Sequence, residues 1–211
     1  MNKSISWTYN KEFEENGFFV IKNLYDPTYL YSEVPDENLK GKLILYDKKT
    51  KNYYGLQEET QVKNSIARRN FPEYSDAHHD IKSVLEKFIK RKLYKTYYYD
   101  RFYFANQELI PHTDHKLCEI SCSLHISSNI KKPWNFKLKS LSGEEKSISL
   151  SPGDALVYKG CEVLHWRNSL ESRYNKFEKM IRKIFRKKDD TYYHQIFFHY
   201  VLQDGNNIQF I

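Results

Sequence analysis

At 211 residues the chain can bury one sizeable core and is short for two ordinary domains, so it reads as a single domain, 1-211. Its 40% apolar content, with 18 Tyr and 13 Phe, excludes wholesale disorder. No apolar run reaches bilayer length and the start, MNKSISWTYNKEFEENG, lacks a signal peptide's apolar core; with a net charge of +7 spread along the chain, these features point to a cytoplasmic protein without a membrane partner, for which nucleic acid is permitted but not indicated.

In chain order, GFFVIKNLYDP (17-27) reads as a short strand ending in Asp-Pro, which can cap and open a short helix. Residues 34-75 read as polar and irregular. In DAHHDIKSVLEKFIKRKLYK, Ile81, Val84, Leu85, Phe88 and Leu93 recur at helical spacing, predicting an amphipathic helix. From residue 96 the texture changes to strands: TYYYDRFYFAN, LCEISCSLHIS, PWNFKLKS, KSISL, DALVYKG and TYYHQIFFHYVLQ. Helix first and strands afterwards predict an α+β, mainly β fold of sandwich or barrel type, with support from 1-95 and a core in 96-211. One helical stripe interrupts the strands. From Glu171 to Lys188, Tyr174, Phe177, Ile181, Ile184 and Phe185 share a face, and eight Lys and Arg side chains supply the rest. This predicts a basic amphipathic insertion whose charged face is simply solvated, with a lid over an anionic substrate as the alternative role for Lys183, Arg186 and Lys187.

The segment PHTDH (Pro111–His115) carries the densest chemistry. Alternation along an extended chain puts His112 and Asp114 on one side, Thr113 and His115 on the other. His112 and Asp114 can hold adjacent positions on a metal if a third ligand arrives, and His165, in GDALVYKGCEVLHWRN, is available. Two His and one carboxylate on one face suit a non-haem Fe(II) oxygenase, and a zinc hydrolase can use similar ligands.

Taken together, RFYFANQELIPHTDH, CEISCSLHIS, LSPGDALVYKGCEVLHWRN and HQIFFHYV, in this order, resemble the prolyl-4-hydroxylase-like branch of the Fe(II)/2-oxoglutarate-dependent dioxygenases. The resemblance covers roughly residues 97-203, and GFFVIKNLYDP resembles that superfamily's N-terminal strand. It implies a double-stranded β-helix, or jelly roll, with buttressing helices. It also implies Fe(II) on His112, Asp114 and His165, with 2-oxoglutarate and O2 as co-substrates. The implied reaction hydroxylates a small molecule or a peptidyl residue and releases succinate and CO2; retention of Asp114 favours hydroxylation over halogenation. For the distal carboxylate of 2-oxoglutarate, Arg167 ranks first, because it is two residues from His165 and shares its face. The family's usual spacing falls instead near Arg173 or Lys176, in the insertion. Tyr103, His125 and Gln195 are candidate supporting contacts. The rival reading is a non-catalytic jelly-roll binding or structural module.

Other clusters read as structural. His78-His79-Asp80 on a helix splay about 100° apart and predict surface polarity. His115 is expected in a loop, and His199 shares a face with Gln195. Trp134 and Trp166 read as core. Cys118, Cys122 and Cys161 lack C-x-x-C spacing and read as buried thiols.

Overall fold

The computed structural model describes residues 9-31 and 33-211, with the side chains of residues 9 and 10 outside the description. A first helix, α1 (Tyr9–Asn16), leads into β1 (Phe18–Ile21). As expected from Asp-Pro, the Asp26 carboxylate accepts from the Thr28 N–H (2.9 Å) and caps a 3-10 turn at Pro27–Tyr29. The next segment departs from the sequence expectation. Residues 34-75 contain three strands, β2 (Lys42–Tyr46), β3 (Tyr53–Glu58) and β4 (Ile66–Arg69), which extend the larger sheet.

Helix α2 (Ser75–Ile89) follows, burying Ala77, His78, Ile81, Leu85 and Ile89. It ends at Lys90, whose positive φ of 54° breaks the helix, so Leu93 belongs to the next strand and not to the helix. The remaining strands are β5 (Leu93–Phe104), β6 (Leu109–His112), β7 (Ile120–Ser128), β8 (Phe136–Lys139), β9 (Glu145–Ile148), β10 (Ala155–Lys159), β11 (His165–Arg167) and β12 (Tyr192–Leu202). The larger sheet runs β1-β10-β7-β12-β5-β4-β2-β3, and the smaller runs β6-β11-β8-β9. Strands from β5 onward thus exchange between two facing sheets, which makes the fold a jelly roll, mainly β with few helices.

Period-2 alternation sorts the core. On β12, Ile196, Phe198 and Tyr200 face the α2 side with Leu124 and Ile126 of β7. Tyr193 and Phe197 face the opposite way, with Tyr103, Leu109 and Trp134, into the space between the sheets. Gln195 and His199 share that inner side. Because one face of β12 packs toward α2 and the other into the space between the sheets, its side chains are buried on both faces, which explains the near-continuous aromatic run YYHQIFFHYV.

The insertion is shorter than its apolar stripe predicts. Helix α3 (Lys176–Ile184) starts at Asn175, which forms a capping box with Glu178, so Arg173 and Tyr174 precede the helix. Phe177, Met180, Ile184 and Phe185 are exposed. No helix among the described residues is long and apolar enough to cross a membrane.

Candidate metal centre

The smaller sheet brings the two histidines together: His165 on β11 is the register partner of His112 at the end of β6. Asp114 lies two residues beyond that strand, where its N–H donates to the Gly160 carbonyl (2.8 Å). A Cβ at residue 160 would sit 2.6 Å from the Asp114 carboxylate and 2.2 Å from the Cys118 carbonyl, so only glycine lets these loops approach. His112 Nε2 is 3.6 Å and His165 Nε2 3.5 Å from Asp114 Oδ1, and one donor atom from each residue fits within a 4.8 Å span. Metal bonds of about 2.1 Å at right angles separate adjacent donors by about 3 Å, so a small inward adjustment would close this set on an ion.

Hydrogen bonds fix the ring tautomers. His112 Nδ1 lies 2.8 Å from the Ile110 carbonyl and His165 Nδ1 2.9 Å from the Val163 carbonyl. Each Nδ1 therefore carries the proton, leaving both Nε2 lone pairs aimed at the shared point. A similar relay holds the carboxylate: His199 Nδ1–H donates to Ser121 Oγ (3.0 Å), and that hydroxyl donates to Asp114 Oδ2 (2.7 Å), turning Oδ1 to the imidazoles. Burial alone would raise the Asp114 carboxyl, but with no ion bound an imidazole that takes up a second proton on Nε2 donates to it, and this hydrogen bonding from His112 and His165 holds it far below the usual carboxylate range. Burial opposes protonation of His112 too, and the Asp114 carboxylate overrides it and raises the pKa. Burial brings His199 down to about 4, so it stays neutral as the relay requires. The Gln61 amide donates to His112 Nε2 (3.0 Å), using the lone pair that an ion needs.

Deeper between the sheets, Arg167 is 1% exposed and has no carboxylate partner among the described residues. Its Nη2 donates to Gln195 Oε1 (2.8 Å), its Nη1 to the Trp134 carbonyl, and its plane lies against the Trp134 and Tyr193 rings. Arg167 Nε and Gln195 Nε2 are buried donors without an acceptor. A buried cation with spare donors on both sides is the complement of a carboxylate. Tyr103 is buried nearby against Trp134 and accepts from Arg101 (3.4 Å). His125 stacks on Tyr193 and donates through Nδ1 to the Leu150 carbonyl (2.8 Å). Burial lowers its pKa to about 4, so its unpaired Nε2 is an acceptor and unsuited to hold an anion.

Other sequence expectations fare differently. Arg173 lines a cavity with Trp134, Asn168 and Tyr174 and not the one that contains His112 and Asp114, and its guanidinium lies 5.1 Å from the Tyr174 ring. No α3 residue lines the cavity that contains His112 and Asp114. His78 is not surface polarity: it is 1% exposed among Tyr98, Phe198 and Tyr200, with Nε2 donating to the His199 carbonyl (3.1 Å). His79, Asp80 and His115 are exposed as expected. Cys118 and Cys122 are buried free thiols, and Cys161 is half-buried. Sequence reasoning missed Ser121, Gln61, Arg69 and Arg101, all at or near the triad; only Arg101, alternating with Tyr99 and Tyr103, carried a signal.

No protein-family model and no curated protein matches the sequence. Solved structures do match. A 2OG-Fe(II) oxygenase family oxidoreductase from Burkholderia pseudomallei superposes with a TM-score of 0.60 at 10% identity, covering 98% of this chain and 95% of that one. The fold is that of the 2OG-Fe(II) oxygenases. A Pseudomonas putida prolyl-4-hydroxylase shares this oxygenase fold (TM-score 0.56, 8% identity, 91% of this chain and 97% of that one). So does HygX from Streptomyces hygroscopicus, solved with nickel and 2-oxoglutarate bound (TM-score 0.56, 10% identity, 95% and 89%). Within the oxygenase fold, the facing positions of β6 and β11 here carry His112 and His165.

Proposed function

We propose that the protein is an Fe(II)- and 2-oxoglutarate-dependent dioxygenase that hydroxylates an unactivated C–H bond of a small molecule or peptidyl residue. The observation that carries the reading is the convergence of His112 Nε2, His165 Nε2 and Asp114 Oδ1 on one point inside an oxygenase fold. His112, Asp114 and His165 would hold the metal, and two imidazoles with one carboxylate are a donor set that suits Fe(II) and would leave room for a co-substrate. Arg167 and Gln195 receive the distal carboxylate of 2-oxoglutarate through Nε and Nε2, with Tyr103 completing the wall. His125 packs behind Tyr193 and orders that wall without touching the anion. Arg173 takes no part.

When bound, Fe(II) and 2-oxoglutarate supply oxidative decarboxylation to succinate and CO2, using O2 and inserting one oxygen into the substrate. The residues of this chain orient and shield. The backbone carbonyls of Ile110 and Val163 keep the ligand rings from rotating, and the His199–Ser121 relay keeps Asp114 aimed. Tyr158 and Phe136 pack against His165 and keep water from that side. Incubation of the Fe(II)-loaded protein with 2-oxoglutarate and a pool of metabolites and peptides tests the reading. Succinate release matched by a product heavier by one oxygen supports it, and tight zinc in protein purified without added metal, with no succinate under any condition, argues for a hydrolase or a binding module.

A further inference from the structure

Beside the triad lies a cavity of about 320 Å³ whose walls carry both charge and aromatic surface. Two guanidiniums line it, Arg69 from β4 and Arg101 from β5, and their situations differ. Arg101 is 3% exposed and neutralised: its Nη2 donates to Glu59 (3.1 Å), whose other oxygen accepts the N–H of Gln61 (2.8 Å). Arg69 is only partly buried, has no ion-pair partner among the described residues, and lies with its guanidinium 4.4 Å from the centre of the Tyr97 ring. Stacking holds that planar group in place while leaving its N–H edges free. Tyr97 continues the wall toward the triad: its ring centre is 4.9 Å from that of His199, the residue that reaches Asp114 through Ser121, and Tyr99 stacks on Phe197 alongside.

We propose that this cavity binds a substrate bearing an anionic group, carboxylate or phosphate, seated on the Arg69 guanidinium with its body against the Tyr97 and Tyr99 rings. The inference rests on the dioxygenase reading for the identity of the site, and charge carries it further. In the loaded site a divalent metal and three guanidiniums, Arg69, Arg101 and Arg167, face the carboxylates of Asp114 and Glu59 and the dianion of 2-oxoglutarate. One positive charge is left without a counter-charge, and Arg69 is the cation that no fixed group neutralises. A monoanionic substrate balances the site, whereas a neutral one leaves a desolvated guanidinium unpaired. The aromatic wall suits an anion attached to a flat or apolar body.

Calorimetric titration of protein saturated with Mn(II) and 2-oxoglutarate tests this, because saturation keeps the probe from occupying the Arg167 seat. The probes are benzoate and phenyl phosphate, with benzamide as the uncharged counterpart. At least a tenfold preference for benzoate or for phenyl phosphate over benzamide is expected, and the stronger of the two names the anion. The preference disappears in Arg69→Gln, is largely kept in Arg69→Lys, and is unchanged in Arg173→Gln. Equal binding of the three probes, no binding of either anion, or a preference that survives Arg69→Gln overturns the proposal. Failure of the dioxygenase reading shows separately, as absent 2-oxoglutarate binding before any probe is added; the same titrations on metal-free protein then decide the anion seat alone.

Discussion

Ser121 connects His199 to Asp114 with a single hydroxyl, donating to one and accepting from the other. Ser121→Ala leaves a buried imidazole N–H without an acceptor and frees Asp114 to turn, so Mn(II) affinity is expected to fall about 10–100-fold by calorimetry. Gln61 acts in the opposite sense. Its amide occupies the His112 lone pair, and Gln61→Ala is expected to tighten Mn(II) binding by about 2–10-fold, the worth of one net hydrogen bond. For Arg167→Met, Mn(II) binding survives while 2-oxoglutarate affinity drops about 10–150-fold, matching loss of charge-assisted bonds; unchanged affinity would assign the carboxylate to another cation. At this scale the convergence of His112, Asp114 and His165 was legible in the sequence because H-x-D plus a distal His is a compact pattern. The supports were not. Arg69 meets Tyr97 only because β4 pairs with β5 across some thirty residues, and no local spacing encodes that pairing.

Strands with clear alternation, such as β7 and β12, could be read from the sequence, and so could α2, whose apolar positions recur at helical spacing. The strands between residues 34 and 75 could not. β3 is exposed along nearly its whole length and so shows no buried face, while β4 buries Arg68 and reads as a charged loop. The insertion misled in the other direction, because an apolar stripe ordinarily signals packing and the α3 stripe faces outward. The contrast has an energetic consequence. Phe177→Ser, Ile184→Ser and Phe185→Ser are each expected to change unfolding free energy by no more than about 0.5 kcal/mol. Leu85→Ala on α2, fully buried among Ile81, Phe198 and Tyr200, costs about 2–5 kcal/mol in urea denaturation.

Across the whole molecule, buried neutral histidines make stability depend on pH. Burial lowers the pKa of His78, His125 and His199, to about 4 for the last two, so the unfolded chain takes up protons near pH 6.5 that the folded chain refuses. Stability therefore falls as pH drops from about 6.5 toward 4, by up to about 1.4 kcal/mol per pH unit for each such histidine. His112 has the opposite sign: its raised pKa contributes stability that is present below about 6.5 and lost as pH rises through the folded value, offsetting part of the slope. Burial opposes ionisation of Asp100, but Arg68 (2.6 Å) and His194 (2.7 Å) outweigh it and lower its pKa below the ordinary carboxylate value. Urea titrations between pH 7 and 4.5 should show the fall, and a flat profile would mean these histidines are not neutral in the fold. All of this supports one centre, where His112, Asp114 and His165 meet. Its most direct test is anaerobic addition of Fe(II) and then 2-oxoglutarate, followed by visible absorption. A broad charge-transfer band that requires both additions and vanishes in His112→Ala is expected; no band, or an equal band in His112→Ala, would rule this centre out.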